Sequence, residues 1–160
     1  AEKNGILTPQ DVSASSTRAV WWQCKLGHIW KTTVVQRTLH GEECPYCSNR
    51  TVLPGFNDLA TIAPQIAKQW HPLLNDLLKP ENVLAISEKP VWWQCPEGHV
   101  WRSKIRERVE QGQQPRCPIC EGDTSRIKRY ARLIRLTYQQ LGITPPETTD
   151  DDNERDKKGA

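Results

Sequence analysis

The chain has 160 residues, 36% of them apolar and 26% charged, with a net charge of +3. A single Phe, no Met and twelve Pro leave thin material for an ordinary core, so the fold should need staples beyond apolar burial. No apolar leader opens the chain and no stretch approaches a membrane span, which argues against a membrane partner; the missing Met points to a fragment or processed piece of a larger protein.

In chain order, residues 19–24 and 29–37 are predicted to be strands flanking a tight knuckle, Cys24-x-x-Gly27-His28. The first holds Val20-Trp21-Trp22-Gln23; the second, running through Lys31-Thr32-Thr33-Val34-Val35, is β-branched. A second knuckle, Cys44-Pro45-Tyr46-Cys47, follows a loop, with a short helical turn expected after it. The next stretch reads as a helical connector. Asn57 or Asp58 suits an N-cap, Pro64 suits the first turn of a second helix, and Pro72 stops it. Leu59, Ile62, Ile66 and Trp70 recur at helical steps and should pack on a neighbouring unit.

The chain then repeats itself. A shift of 71 residues superposes Asn4, Leu7, Pro9, Val12, Ala14 and Ser16 on Asn75, Leu78, Pro80, Val83, Ala85 and Ser87. The same shift superposes the Trp21-Trp22 string on Trp92-Trp93, and Arg37 on Arg108. Two copies of one structural unit follow from this. Residues 102–110 alone would also fit a short helix, with Ile105 and Val109 one turn apart. Their counterpart in the first copy is strand-like, so strands are predicted at 90–95 and 100–108. Beyond Cys120 the repeat ends. Residues 124–141 give an amphipathic helix with Ile127, Tyr130, Ala131, Ile134, Tyr138 and Leu141 on one face. The expected division is a finger at 1–56, a connector at 57–74, a finger at 75–123, a basic helix at 124–142 and an acidic disordered tail or linker at 143–160.

All six cysteines fall in two sets of the form Cys-x3-His…Cys-x2-Cys: Cys24, His28, Cys44, Cys47 and Cys95, His99, Cys117, Cys120. Three thiolates and a neutral imidazole close the tetrahedron that Zn²⁺ prefers, so two structural zinc ions are expected per chain. Such pairs read as metal ligands in a reducing compartment, hence a cytoplasmic protein, nucleoid-associated or nuclear if it binds DNA, and not as a disulfide framework. A catalytic zinc needs an open position, and these sets leave none. No nucleophile triad, phosphate-cradling glycine loop or carboxylate pair is apparent. The expectation is therefore a protein that is not an enzyme and takes no small-molecule substrate. His40 and His71 have no counterpart in the other copy; the first reads as solvated, the second as a capping or packing group.

Charge is uneven. The tail from Glu147 carries six acidic residues against Arg155, Lys157 and Lys158, leaving residues 1–146 with a net +6. Read as a strand, the second copy places Arg102, Lys104, Arg106 and Arg108 on one face, where the first offers only Lys31 and Arg37. The last helix adds Arg126, Lys128, Arg129, Arg132 and Arg135 with no acid. These eleven residues are the candidate nucleic-acid contacts. The competing reading is a solvated strand face balanced by Glu107 and Glu110, and a helix whose arginines face water. The Trp pairs point to opposite strand faces, so one Trp can be core while its neighbour is partly exposed, either to stack on bases or to cover a metal knuckle.

The string Trp-Trp-x-Cys-x-x-Gly-His-x-Trp…Arg…Cys-Pro-x-Cys resembles the tandem treble-clef zinc-finger repeats of bacterial proteins. So does the connector Asn57-Asp58-Leu59…Pro64…Ala67…Trp70-His71-Pro72…Asn75. The resemblance spans about residues 4–121. It implies a small zinc-stabilised α+β fold of two treble clefs, one zinc per repeat and a nucleic-acid-binding role, sometimes beside endonuclease-type domains. Two functions follow as expectations. One is a targeting module that binds nucleic acid, with double-stranded DNA the expected form, through backbone phosphates, linked to other domains or subunits of a parent assembly. The alternative is a protein-interaction adaptor using exposed Trp and the apolar face of the last helix. No base-reading recognition helix is apparent.

Overall fold

The computed structural model describes residues 1–112, 114 and 116–145; all but the first three residues of the expected acidic tail lie outside them. Each repeat folds as an antiparallel hairpin followed by one short helix. In unit one, β1 (Ala19–Gln23) pairs with β2 (Ile29–Thr33), and α1 covers Val34–Thr38. In unit two, β3 (Pro90–Gln94) pairs with β4 (Val100–Lys104), and α4 covers Ile105–Glu110. The connector supplies α2 (Leu59–Ile62) and α3 (Pro64–Ala67), and the last element among the described residues is the long α5 (Ser125–Gln140). The two sheets are separate, and each has two strands.

The second strand of each unit is shorter than its sequence suggests. Residues 34–38 and 105–110 are helical, which corrects the reading of 29–37 and 100–108 as continuous strands. Burial decides it. A strand would pair Ile105 with Glu107 on one face, whereas a helical turn brings Ile105, Arg108 and Val109 inward together. Glu110 and Arg106 then meet outside as an i,i+4 ion pair at 2.6 Å. In unit one Thr33 caps the same turn by accepting from the Gln36 N–H, and Val34 is buried, so tertiary context overrides the β-branched composition. The principle that two copies share a fold holds; the shared element is a helix. After each second knuckle the expected helical turn is a set of hydrogen-bonded turns instead.

The connector packs on unit two. Asp58 caps α2 by accepting from the Thr61 N–H at 2.9 Å, and Pro64 opens α3. Leu59 and Ile66 are fully buried with Val91, Trp93, Trp101 and Ile105 in the main core. Ile62 of the expected stripe is 47% exposed, because the helix breaks at Ala63 (φ −137°) and the period is interrupted there. On the opposite sheet face α5 lays Tyr130, Ile134 and Tyr138 against Trp92, and the Tyr130 hydroxyl donates to the Arg102 carbonyl at 3.1 Å. Gly142 (φ 67°) terminates α5. Both faces of the unit-two hairpin are thus covered, and both of its paired tryptophans are buried. Trp21 and Trp22 in unit one are both only half-buried. The expected pattern of one Trp in and one out occurs in neither unit.

His71 anchors the junction between connector and sheet. Its Nδ1 accepts from the N–H groups of Leu73 and Leu74, at 3.2 and 3.1 Å. Burial lowers its pKa from 6.5 to about 4, so it is neutral at pH 7. Because the folded value lies below the unfolded one, its contribution is complete above about pH 6.5 and is lost as pH falls toward 4. Between pH 7 and 4 the native chain should lose on the order of 3 kcal/mol more than a His71→Gln variant. Denaturant midpoints test this over the part of that range in which both proteins retain two zinc ions, since loss of the metal would itself unfold the region around His71. Parallel pH profiles would show that His71 charges within the fold.

Candidate metal centres and basic surface

Each knuckle is shaped by its glycine. Gly27 and Gly98 adopt φ of 85° and 84°, which lets the Cys24 and Cys95 N–H groups reach the His28 and His99 carbonyls, each at 3.1 Å. The hairpin therefore delivers a sulfur and an imidazole side by side, and the second knuckle closes over them. In unit one the Nδ1 of His28 lies 3.3 Å from the Cys47 sulfur and 3.7 Å from that of Cys44, with Cys24 and Cys47 sulfurs 3.8 Å apart. In unit two His99 Nδ1 lies 3.3, 3.6 and 3.8 Å from the sulfurs of Cys120, Cys95 and Cys117, and Cys95 and Cys120 sulfurs are 3.9 Å apart.

A tetrahedral zinc with ordinary bond lengths implies edges of ~3.8 Å between sulfurs and ~3.6 Å from sulfur to nitrogen. Both tetrads fit that shape with no rearrangement. All four donor atoms lie within 4.8 Å of one another in each, and all six cysteines are free thiols. Loss of hydration, reinforced by the neighbouring sulfurs, pushes Cys47 up to about 11 and Cys120 up to about 12. Cys47 and Cys120 therefore keep their protons at neutral pH unless a cation replaces them, which is what a dication in this donor set does. The eight sequence-predicted ligands are brought together as two Cys3His sites, each able to hold one zinc ion.

Two segments of the chain, residues 1–50 and 66–123, match the family model described as a probable treble clef zinc finger domain. The chain belongs to the treble clef zinc finger family. Together the segments make up more than half of its length, and each contains one complete Cys3His set. No curated protein matches the sequence. Among the described residues, no helix is long and apolar enough to cross a membrane.

The zinc finger scaffold scatters the predicted basic residues. The four side chains of the supposed unit-two stripe do not share a face, since the strand ends at Lys104. Arg108 is 2% exposed, flanked by the Trp93 and Trp101 rings at 5.5 and 5.4 Å, and donates to Gln69 and Gln111. It cannot reach a phosphate. Lys104 and Arg106 both pair with Glu88, at 2.9 and 3.3 Å. Arg126 pairs with Asp123 at 2.6 Å. Arg102 lies over Trp92 at 5.5 Å, and its Nε has no hydrogen-bond partner among the described residues. In unit one, Lys31 shares the Trp21 ring with Lys3, and Arg37 lies over Trp22. Only Lys128, Arg129, Arg132 and Arg135 form a continuous exposed group, on the side of α5 away from Tyr138. Arg129, Arg102 and Tyr130 also line one open hollow with Pro90 and Leu133.

Sequence reasoning aligned Asn4 with Asn75 but gave them no role. Each clasps the first Trp of its hairpin. The Asn4 side chain accepts from the Trp21 N–H and donates to the Trp21 carbonyl, both at 2.8 Å, and Asn75 does the same for Trp92 at the same distances. Their identity across the repeat was the available signal. Gln69 had none, because it lies outside the aligned positions.

Proposed function

We propose that this zinc finger pair is a binding module for nucleic acid, held chiefly through backbone phosphates, and that it performs no catalysis of its own. Both metal sets use all four coordination positions on protein ligands, so the zinc supports structure. The observation that carries the reading is the exposed basic face of α5. Lys128, Arg129, Arg132 and Arg135 project from one helix that contains no acid. Lys128 and Arg132 have no carboxylate partner among the described residues. Arg129 and Arg102 extend this surface to the hollow beside Tyr130, where the guanidinium groups could receive a phosphate. Double-stranded DNA is the favoured partner, since nothing in the helix offers a base-edge code and phosphate contacts need none. The module would then carry linked domains to DNA.

The decisive comparison is Lys128→Glu with Arg132→Glu against Lys104→Glu with Arg106→Glu, each variant checked for two zinc ions. Each lost phosphate contact removes about 0.9 from the slope of log K against log salt. The helix pair should lower the slope by about two and weaken binding at least tenfold at low salt. The second pair, already neutralised by Glu88 and Glu110, should change it little. A salt-insensitive interaction would instead support an adaptor that docks a protein on Leu133, Leu136 and the half-buried tryptophans. Equal small losses in both pairs would remove α5 from the interface.

A further inference from the structure

In unit two the outer edge of β3 is occupied by the connector. Gln69 to His71 runs antiparallel beside it, with Trp70 opposite Trp93. The Gln94 N–H donates to the Gln69 carbonyl at 2.7 Å, and the His71 N–H donates to the Trp92 carbonyl at 3.1 Å. Side chains complete the contact. The Trp70 ring meets Trp93 edge to face at 5.7 Å, and the Gln69 side-chain carbonyl accepts from buried Arg108.

Unit one presents the same three features without that cover. Its equivalents under the repeat are Gln23, Trp22 and Arg37. The β1 edge is open beyond the Asn4 clasp. Among the described residues no acceptor meets the Gln23 N–H, Trp22 is half-buried, and Arg37 lies 5.9 Å over Trp22 with no Gln to receive its donors. An unpaired edge flanked by an aromatic ring is a template for strand addition. The family match points the same way: in unit two it begins at residue 66 and so takes in Gln69, Trp70 and His71.

We infer that the β1 edge of unit one is a docking site for an extended connector-type segment carrying Gln-Trp-His, bound as Gln69–His71 binds unit two. The occupant is a segment of this kind from another repeat unit. Its backbone pairs with Trp21 and Gln23, its Trp packs on Trp22, and its Gln receives Arg37. This site is separate from the basic face of α5 and does not depend on nucleic-acid binding.

The test is made on the full chain extended at its N-terminus by a copy of residues 57–71, which the 71-residue shift brings into register before Ala1. Tethering removes weak affinity as an explanation of failure, because effective concentrations are in the millimolar range. Amide hydrogen exchange at Gln23 should slow at least tenfold, and Trp22 should become less accessible to quencher, with two zinc ions retained. An otherwise identical extension with Gly in place of its Gln and Trp should lose both effects. Unchanged exchange at Gln23, or equal protection by the Gly version, overturns the proposal. So does concentration-dependent protection in the unextended chain, which would assign the edge to a second copy.

Discussion

Cys95→Ser is expected to reduce the zinc content from two ions to one and to unfold everything from the connector to the end of α5. Among the described residues the tetrad around His99 is the one closed set of strong ligands in unit two, and a structural zinc of this type contributes roughly 10–16 kcal/mol of apparent binding energy to folding. That matches or exceeds the whole stability of about 5–15 kcal/mol typical of a domain, so no other interaction offsets its loss. The consequences spread because Leu59, Ile66, Tyr130 and Tyr138 all pack on the β3–β4 hairpin. α5, with 16 residues, is marginal as an isolated helix and should melt with its platform. Cys24→Ser should do less. It would release the other zinc and unfold the first hairpin, but leave α5 and the Trp93 core in place. Helical ellipticity at 222 nm, read beside elemental analysis, distinguishes the two. Retention of α5 ellipticity in the Cys95→Ser protein would mean that the connector core folds without its metal.

This asymmetry was not legible in a repeat whose two copies look alike. Ligand identities and spacings could be read directly, since Cys and His at these separations have few other uses and the metal imposes the geometry. Hairpins and knuckles followed from alternation and glycine placement. What failed was the passage from strand to helix at Val34 and Ile105, where short apolar runs fit either period. Only the position of the core chooses between them. The basic stripe failed with it, because alternate spacing places Arg102, Lys104, Arg106 and Arg108 on one face of a strand but distributes them around a strand-to-helix junction. The tryptophans failed for another reason. Their burial depends on what covers each hairpin, and the connector and α5 both lie on unit two.

Arg108 shows how far a repeated residue can diverge in consequence, and Arg108→Ala is the second large effect expected. Its guanidinium lies over the Trp93 and Trp101 rings and donates to Gln69 and Gln111, with no carboxylate accepting from it among the described residues. Burial alone lowers its pKa, opposed by the nearby Cys117 sulfur and Glu121. Three thiolates against one dication leave a zinc centre with a net charge of −1. Arg108 therefore sits where a buried cation balances the metal site through Cys117, which explains a charge otherwise costly to bury. Truncation to Ala would leave a cavity over Trp93 and Trp101, orphan the Gln69 side-chain carbonyl and expose the charge of the site. A loss of about 3–5 kcal/mol is expected, comparable to breaking a buried ion pair. Arg37→Ala, at the half-buried counterpart over Trp22, should cost about 1 kcal/mol. Arg108→Lys should not restore stability, since a compact ammonium can neither cover both rings as a planar guanidinium does nor reach both glutamines. Chemical denaturation with saturating zinc measures all three. If Arg108→Ala left the midpoint unchanged and instead reduced the salt dependence of nucleic-acid binding, the side chain would have to reach a phosphate, and its burial over the two indoles would be wrong.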